Sequence, residues 1–326
     1  MQKVVVAPRF GLGPELLARL RETAEVVVVD DGSPAALLRE LADAAALLVA
    51  IEPRITAALL DAAPRLRHVA RQGVGVDIVD VRAATSRGIV VTNVPDVTSD
   101  SVAEFCLTLL LGLAKNLVRC DRAVKGGRWA DRLALIQDNC ELAGKTHGIV
   151  GLGRIGSRVA ARCRAFGMQV LYHKRHRDLA CEAATGAAYC SLETLLSASD
   201  SISLHLPLTD QTRNLIDTPQ FALMKPTVLI VNHSRGTIVN EEALVRALRE
   251  GQIGGYGTDV YAQEPPDATA ELFSFPNVVA SPHLGGGNRD TRSRGNRVVV
   301  EEVIRVLAGQ RPLYPVNPEV LEKRAP

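Results

Sequence analysis

Residues 146–167 read THGIVGLGRIGSRVAARCRAFG, and this stretch decides the fold. It opens with a short strand-like run, and residues 157–167 carry apolar side chains at helical intervals. Between them, Gly151, Gly153 and Gly156 have the G-x-G-x-x-G spacing. A glycine turn at the start of a helix lets backbone N–H groups approach a pyrophosphate, and the helix N-terminus adds partial positive charge. The stretch therefore predicts a dinucleotide-binding strand, turn and helix.

Strand-like runs alternate with helix-sized segments on both sides of this turn. Before it, the runs are VVVA, VVVVD, ALLVA, RHVAR and IVVTN, at residues 4–7, 26–30, 46–50, 67–71 and 89–93. From the turn onward, six runs are THGIV, MQVLYH, SISLH, VLIVN, GGYGTD and NVVAS, at residues 146–150, 168–173, 201–205, 228–232, 254–259 and 277–281. Mostly apolar strands separated by helices indicate two parallel sheets, each covered on both faces.

Two long helical patterns separate these units. SVAEFCLTLLLGLAKNLVRC, from Ser101 to Cys120, is opened by Ser101 and Glu104 at capping-box spacing, and we place the domain crossing there. A second long helix is predicted from Asn288, and it could return the chain to the first unit.

Composition and charge argue against several classes of partner. The chain has 326 residues, a formal net charge of +2, 47% hydrophobic and 23% charged residues, which is typical of a soluble globular protein without a nucleic-acid partner. Six scattered cysteines without a CxxC pair predict free thiols and no metal site. There is no signal-peptide pattern, and the most apolar helical stretch, residues 105–114, is too short to span a bilayer. We therefore expect a cytoplasmic protein without a membrane partner.

Polar residues follow the predicted strands at the edge where doubly wound sheets bind ligands. In the second unit these are His205, the segment 232–235, Asp259 and His283. In the first unit the same rule selects RQGVGVD, residues 71–77, whose glycines would expose N–H groups suited to a carboxylate.

A histidine, a carboxylate and an arginine among these segments would supply the groups needed to reduce a 2-oxo acid. His283 can give a proton near neutral pH, Glu264 can favour its charged form, and Arg235 can hold a carboxylate by two hydrogen bonds. Taken singly, Arg235 also suits a surface ion pair and Glu264 an ordinary turn before Pro265. Only their convergence in space would favour catalysis.

The residue that reads the adenosine ribose should follow the strand after the glycine turn. Lys174 stands there, 23 residues after Gly151, with Arg175 next to it. Cations suit the 2′-phosphate of NADP, whereas an acid would suit the 2′-hydroxyl of NAD. The sequence favours NADP over NAD; the alternative is a solvated basic loop without selectivity.

In this order, the motifs resemble the D-isomer-specific 2-hydroxyacid dehydrogenase family over nearly the whole chain. The segments that carry the resemblance include RQGVGVDIVDVRAATSRGIVVTNVP, ELAGKTHGIVGLGRIGSRVA, LHLPLTDQTRNLI, FALMKPTVLIVNHSRGTIVNEEAL, DVYAQEPP and FPNVVASPHLGG. The resemblance implies an α/β fold of two doubly wound parallel-sheet domains, with a Rossmann cofactor domain inserted into a flavodoxin-like substrate domain. Residues 1–98, completed by 289–326, would bind substrate, and residues 99–288 would bind NAD(P). A homodimer is expected, with the helix near Ser101 contributing.

The resemblance also implies roles for individual residues. The catalytic residues would be Arg235, Glu264 and His283. The cofactor-binding residues would be Gly151, Gly153, Arg154, Ile155, Gly156, Lys174, Arg175, Leu206, Pro207, Thr212, His233, Asp259, His283 and Gly285. The substrate-binding residues would be Arg71, Val74, Gly75 and Arg235.

The implied activity is hydride transfer between NAD(P)H and a small 2-oxo acid of the glyoxylate, hydroxypyruvate or phosphoglycerate type. Lys174 in place of the usual acid is shared with NADPH-using glyoxylate and hydroxypyruvate reductases. One alternative is a nucleotide-sensing binding protein of the co-repressor kind, and another is oxidation of formate or phosphite. An intact Glu264 and His283 pair makes formate less attractive, because formate has no hydroxyl proton to remove.

Overall fold

The structure, a computed structural model, describes residues 1–30 and 33–322. The chain forms two compact units: Met1–Thr98 with the segment from Asn288 onward, and Ser99–Gly287. We call these the first and the second domain. Asn288, which the sequence analysis grouped with the middle segment, belongs to the first domain and caps its last long helix by accepting a hydrogen bond from the N–H of Thr291.

Strands and helices alternate along both domains. The strands are β1 (Gln2–Val6), β2 (Ala24–Val28), β3 (Ala46–Val49), β4 (His68–Arg71), β5 (Val90–Thr92), β6 (Thr146–Val150), β7 (Gln169–His173), β8 (Ala188–Tyr189), β9 (Ser201–Leu204), β10 (Leu229–Asn232), β11 (Gly255–Thr258) and β12 (Val278–Ala280). The α-helices are α1 (Pro14–Arg21), α2 (Pro34–Leu41), α3 (Ala57–Asp61), α4 (Val81–Ser86), α5 (Ser99–Ala114), α6 (Leu117–Lys125), α7 (Arg132–Gln137), α8 (Arg154–Ala165), α9 (Leu179–Thr185), α10 (Leu192–Ala198), α11 (Thr218–Phe221), α12 (Glu241–Arg249), α13 (Arg289–Leu307) and α14 (Glu319–Glu322). Short 3-10 helices cover Trp129–Asp131, Gly236–Ile238 and Glu271–Ser274.

The first domain contains a five-stranded parallel sheet in the order β2-β1-β3-β4-β5. This is the flavodoxin-like order. Successive β1 residues pack into different cores, because strand side chains alternate between faces: Val4 and Val6 join one hydrophobic cluster, and Val5 joins the other. Val299 and Val300 of α13 complete the first of these clusters. Helix α13, which follows the second domain in the chain, therefore forms part of the core of the first domain.

The second domain contains a seven-stranded parallel sheet in the order β12-β11-β10-β9-β6-β7-β8. The six strands from β11 to β8 follow the Rossmann order, with the reversal between β6 and β9. The two-domain parallel α/β fold is thus confirmed. The prediction of six strands was one short, because β8 is only two exposed residues long and has no apolar run to reveal it.

The predicted long helix from Ser101 to Cys120 is two helices. α5 begins at Ser99, so Ser101 lies inside the helix and the predicted capping box was wrong. Asn116, in the left-handed conformation with φ +50°, ends the first segment and α6 starts at the next residue. Among the described residues, no single helix has the length and apolar character to cross a membrane; only the bent pair α5 and α6 together meets that criterion, with a 60° break.

Candidate active site

The predicted glycine turn is present at the carboxyl edge of the second sheet. Gly151 follows β6 with φ +101°, and Gly153 is the N-cap of α8. A Cβ at Gly151 would lie 2.6 Å from the carbonyl oxygen of His205, and a Cβ at Gly156 would lie 2.4 Å from the carbonyl oxygen of Gly151. Glycine is therefore required at both positions, for backbone conformation and for close packing.

Gly153 is different because a Cβ there would meet no heavy atom within 4 Å. Gly153 and Arg154 are exposed, Ile155 is half-buried, and no described side chain caps the start of α8. The first N–H groups of the helix and its positive dipole end thus face an open space, as a pyrophosphate would require. These residues fit the dinucleotide that the glycine motif predicts.

Lys174 and Arg175 follow β7, where the ribose of that dinucleotide is expected. Lys174 Nζ lies 2.9 Å from Asp178 Oδ2, and Arg175 donates to Gln211 Oε1 at 2.7 Å. The Cys181 N–H and the Lys174 ammonium hold the pKa of Asp178 below its usual value. A phosphate that bound Lys174 would therefore have to compete with this ion pair.

The loops after β9 and β10 are tied to each other. The N–H of Leu206 donates to Ser234 Oγ at 3.2 Å, and the Thr212 hydroxyl donates to the carbonyl oxygen of Pro207 at 2.7 Å. Leu206, Pro207 and Thr212 thus lie in one loop, which is tied to the loop after β10 through Ser234. His233, also predicted to contact cofactor, is 8% exposed and points its ring into the interior beside His205.

His283 and Glu264 are in direct contact. His283 Nδ1 lies 2.7 Å from Glu264 Oε2, and Glu264 Oε1 accepts a hydrogen bond from the N–H of Tyr261 at 3.1 Å. Their side chains are 47% and 39% exposed. With Nδ1 held by the carboxylate, Nε2 is the ring nitrogen left to exchange a proton with a bound molecule.

Asp259 anchors the loop that carries His283. Its side chain accepts hydrogen bonds from the Ser281 hydroxyl, from the N–H of Leu284 at 2.7 Å and from the N–H of Gly285 at 2.7 Å. These donors lie on both sides of His283, which adopts φ +54°. Left-handed backbone is uncommon for a residue other than glycine, so the buried carboxylate holds the histidine in an otherwise unfavourable conformation.

Arg235 lies in the loop after β10, beside the Glu264 loop. Its guanidinium donates to the Ser234 carbonyl oxygen at 2.6 Å. The next residue, Gly236, packs so closely that a Cβ would lie 2.0 Å from the carbonyl carbon of Tyr261, the residue that binds Glu264. The structure thus joins His283 directly to Glu264 and places the arginine loop against the Glu264 loop.

The predicted substrate-binding loop lies at the carboxyl edge of the first sheet. Arg71 ends β4, and its guanidinium donates to the carbonyl oxygen of Gln72. Val74 is exposed, Gly75 is half-buried, and the Val74 carbonyl oxygen accepts from the Asn93 amide at 2.7 Å. The Asn93 side chain therefore holds the loop by a hydrogen bond to this backbone carbonyl group.

Buried polar side chains in the interior of the second domain form a continuous series of hydrogen bonds. His147 bonds Ser201 Oγ at 2.7 Å and Ser203 Oγ at 2.8 Å, and Ser203 Oγ bonds His205 Nε2 at 2.7 Å. The rings of His205 and His233 meet edge to face at 4.7 Å. Burial lowers the pKa of His147 to about 3, that of His233 to about 4, and that of His205 well below its usual value. All three imidazoles are neutral at pH 7.

Three residues that hold the histidine loop were not predicted from the sequence. The Tyr261 hydroxyl donates to the Ser281 carbonyl oxygen at 2.7 Å, and the Ser101 hydroxyl donates to the Gly285 carbonyl oxygen at 2.6 Å. Ser281 directly follows β12, so the strand-end rule could have selected it. Tyr261 and Ser101 gave no signal, because their partners lie 20 and 184 residues away in the chain.

The chain is similar to proteins of one enzyme family. The profile described as "D-isomer specific 2-hydroxyacid dehydrogenase, NAD binding domain" matches residues 107–285. A glyoxylate reductase of Aeropyrum pernix is 44% identical over 321 residues, covering 96% of both chains. One of Thermococcus kodakarensis is 44% identical over 294 residues, covering 89% of this chain and 88% of the relative. The structure of an NADPH-dependent glyoxylate/hydroxypyruvate reductase from Sinorhizobium meliloti, in complex with NADP and malonate, has a TM-score of 0.83, with 33% identity over 97% of this chain and 96% of that chain.

Fold and site together define a nicotinamide-dependent oxidoreductase with a Rossmann domain. The chain belongs to the D-isomer specific 2-hydroxyacid dehydrogenase family. It is an NAD(P)-dependent dehydrogenase that transfers hydride between its cofactor and a small oxo or hydroxy acid. Nothing in these relatives favours the binding-protein alternative.

Proposed function

We propose that the protein reduces glyoxylate, hydroxypyruvate or a similarly small 2-oxo acid to the D-2-hydroxy acid, with NADPH as the preferred cofactor. The two curated relatives described above are glyoxylate reductases, and each matches over most of its length. The contact of 2.7 Å between His283 and Glu264 is the observation on which the proposal depends, because it gives the second domain a ready acid/base pair. In this proposal the second domain binds cofactor and the first contributes to substrate binding.

Each residue of the site has a separate role in the proposed reaction. The nicotinamide, when bound, supplies the hydride. His283 gives the Nε2 proton to the substrate carbonyl oxygen, and Glu264 stabilises the positive charge of the imidazolium before that transfer. Arg235 binds the substrate carboxylate and polarises the adjacent carbonyl. In the first domain, the residues proposed to bind substrate are Arg71, Val74 and Gly75.

A substrate panel tests the function. Purified protein with NADPH should consume cofactor with glyoxylate and hydroxypyruvate faster than with pyruvate or phosphohydroxypyruvate. The Arg235→Lys variant should raise KM strongly, because an ammonium cannot form the two parallel hydrogen bonds of a guanidinium. Absence of turnover with every acid in both directions would contradict the proposal.

The preference for NADP rests on Lys174 and Arg175. A 2′-phosphate can replace Asp178 as the partner of Lys174, whereas the ribose hydroxyls of NAD have no charge with which to compete. Lys174→Ala should raise KM for NADPH about tenfold or more, the effect of losing one charge-assisted hydrogen bond, and leave KM for NADH nearly unchanged.

Lys225→Ala is the matched control for this comparison. Lys225 is 38% exposed and pairs with Asp200 at 2.8 Å, whereas Lys174 is 37% exposed and pairs with Asp178 at 2.9 Å. Lys225 precedes β10 and so lies at the amino ends of the strands, away from the carboxyl ends where cofactor is proposed to bind. Its loss should therefore change neither the KM for NADPH nor the KM for NADH. Higher kcat/KM with NADH in the unmodified protein would refute the preference.

A homodimer is proposed through the segment that follows α5. α5 itself is largely buried inside the second domain, so it has little surface to offer a partner. In contrast, Trp129 is 71% exposed and lines a shallow pocket together with Val124 and Ile136. Leu133, which is 69% exposed, lies in the same helix as Ile136. Such an apolar cluster is typical of a protein interface. Trp129→Glu should shift sedimentation from dimer to monomer, while exposed Leu179→Glu, outside the cluster, should not.

A further inference from the structure

Three residues that are far apart along the chain lie close together in the interior of the second domain. Cys106 lies in α5, His205 directly follows β9, and His233 directly follows β10. One ligand atom from each of these side chains lies within 4.8 Å of the other two. Cys106 is 0% exposed and His233 is 8% exposed. The sequence predicted no metal site because these residues are far apart along the chain, but the fold brings a thiol and two imidazoles together.

Two nitrogens of this cluster have no hydrogen-bond partner among the described residues. They are His205 Nδ1 and His233 Nε2, and both atoms are buried. A buried polar atom without a partner costs about 1 to 3 kcal/mol, so native interiors seldom keep one without a reason. Two such atoms in adjacent rings indicate that the cluster is incomplete without another component.

One arrangement of the surrounding hydrogen bonds leaves His205 Nδ1 free to act as a ligand. Ser203 Oγ has one proton and bonds both His147 Nε2 and His205 Nε2. If it donates to His147, then His205 Nε2–H donates to Ser203 and His205 Nδ1 has a free lone pair. A ring N–H donated to a fixed oxygen is the arrangement that orients histidines at metal centres.

We propose that Cys106, His205 and His233 bind one soft d10 metal ion, Zn²⁺ or Cu⁺, with sulfur and nitrogen as ligands. Thiolate and imidazole are the ligands that such ions prefer. Binding displaces the proton of the Cys106 thiol into solution, and the sulfur takes its place in the coordination shell. One thiolate and two neutral imidazoles carry a charge of −1, so Cu⁺ gives a neutral buried centre and is favoured over Zn²⁺ on that ground.

The ion acts as a structural clamp and takes no part in hydride transfer. His205 immediately precedes Leu206 of the proposed cofactor loop, and His233 lies two residues before Arg235. Binding both histidines to Cys106 of α5 fixes the ends of β9 and β10 to a buried helix. Metal binding should therefore raise thermal stability and tighten the loops that the site depends on.

The test uses the full chain, stripped with a chelator and then titrated with Zn²⁺ alone or, without oxygen, with Cu⁺ alone. We expect one ion per chain for at least one metal, a higher Tm, and an anomalous diffraction peak between the Cys106 sulfur and the two histidine rings. Cys106→Ser and His233→Asn should each lower the affinity at least about a hundredfold, equivalent to about 2.7 kcal/mol.

Cys140→Ser is the control, since Cys140 is a free cysteine outside the cluster, and it should keep full binding. Wild-type protein is sufficient if a variant does not fold, because the diffraction peak locates the ion without mutation. The proposal is overturned if neither metal binds at one per chain, or if the ion is found elsewhere. These results are independent of turnover, so they do not depend on the substrate proposed above.

Discussion

His283 depends on its neighbours for a backbone conformation that few non-glycine residues adopt. The three hydrogen bonds that Asp259 accepts from the loop offset this cost. The hydroxyl groups of Tyr261 and Ser101 bind the carbonyl oxygens on either side. The loop is thus held mainly through its backbone, and the imidazole is free to contact Glu264.

His283→Ala should lower the rate of 2-oxo acid reduction at least about a hundredfold, because it removes the proton donor. Cofactor affinity, measured by fluorescence titration, should be largely retained, since the glycine turn is untouched. A rate within a few-fold of the unmodified enzyme would remove His283 from its proposed role.

Asp259→Asn should lower the free energy of unfolding by about 2 kcal/mol, because an amide cannot accept from donors on both of its heavy atoms. The rate should fall as well, since the histidine loop loses its anchor. Asp267→Asn is the matched control: Asp267 also accepts a backbone N–H and a hydroxyl hydrogen bond from one loop residue, Thr269, but it is exposed. Equal urea midpoints for the two variants would argue against the anchoring role.

At the level of elements, the turn between β6 and α8 uses its glycines for different purposes. Gly156 allows α8 to approach the turn closely, since a Cβ there would lie 2.4 Å from a backbone oxygen. Gly153 has open space around it, so an alanine at this position would not disturb the packing. Gly156 is therefore required by the fold, whereas we propose that Gly153 is required by the ligand.

This difference can be measured with two alanine variants. Gly156→Ala should lower the unfolding free energy by about 1 to 3 kcal/mol, because the helix must move away from the turn. Gly153→Ala should leave Tm nearly unchanged but raise the cofactor Kd about tenfold or more, because its methyl group occupies the space of the pyrophosphate. Normal cofactor affinity in Gly153→Ala would show that the pyrophosphate binds elsewhere.

For the whole molecule, the buried histidines make stability depend on pH. The pKa values of His147, His205 and His233 are lowered by burial from a usual value of 6.5. Below pH 6.5 the unfolded chain therefore binds protons that the folded chain does not. Their contribution to stability is fully present above that value and is lost as pH falls toward the folded pKa values.

Chelator-stripped protein should lose about 3 to 4 kcal/mol of unfolding free energy between pH 6 and pH 5, from about 1.4 kcal/mol per pH unit for each fully protonated histidine. His233→Asn should reduce this slope by about a third. Urea titrations at half-unit pH steps measure the slope. A flat profile in this range would mean that the histidines are accessible to protons in the folded state.

Much of the architecture could be predicted from local signals. Strand-like runs located all but the shortest strand. The break at Asn116 was missed, because an asparagine inside an apolar helical pattern carries no local requirement for left-handed backbone. The capping box at Ser101 was wrong because its hydroxyl has a tertiary partner, the carbonyl oxygen of Gly285.

The sequence by itself determined the two parallel sheets, the glycine turn and the polar residues at the strand ends, since these depend on periodicity and on residues adjacent in the chain. Only the tertiary structure decided which of those residues touch. In the folded protein His283 contacts Glu264, and Asp259 accepts hydrogen bonds from the loop that carries His283. Cys106, His205 and His233 lie close together in the interior. Each of these contacts joins residues from different strands, helices or loops, so it depends on how those elements pack, which no local pattern specifies.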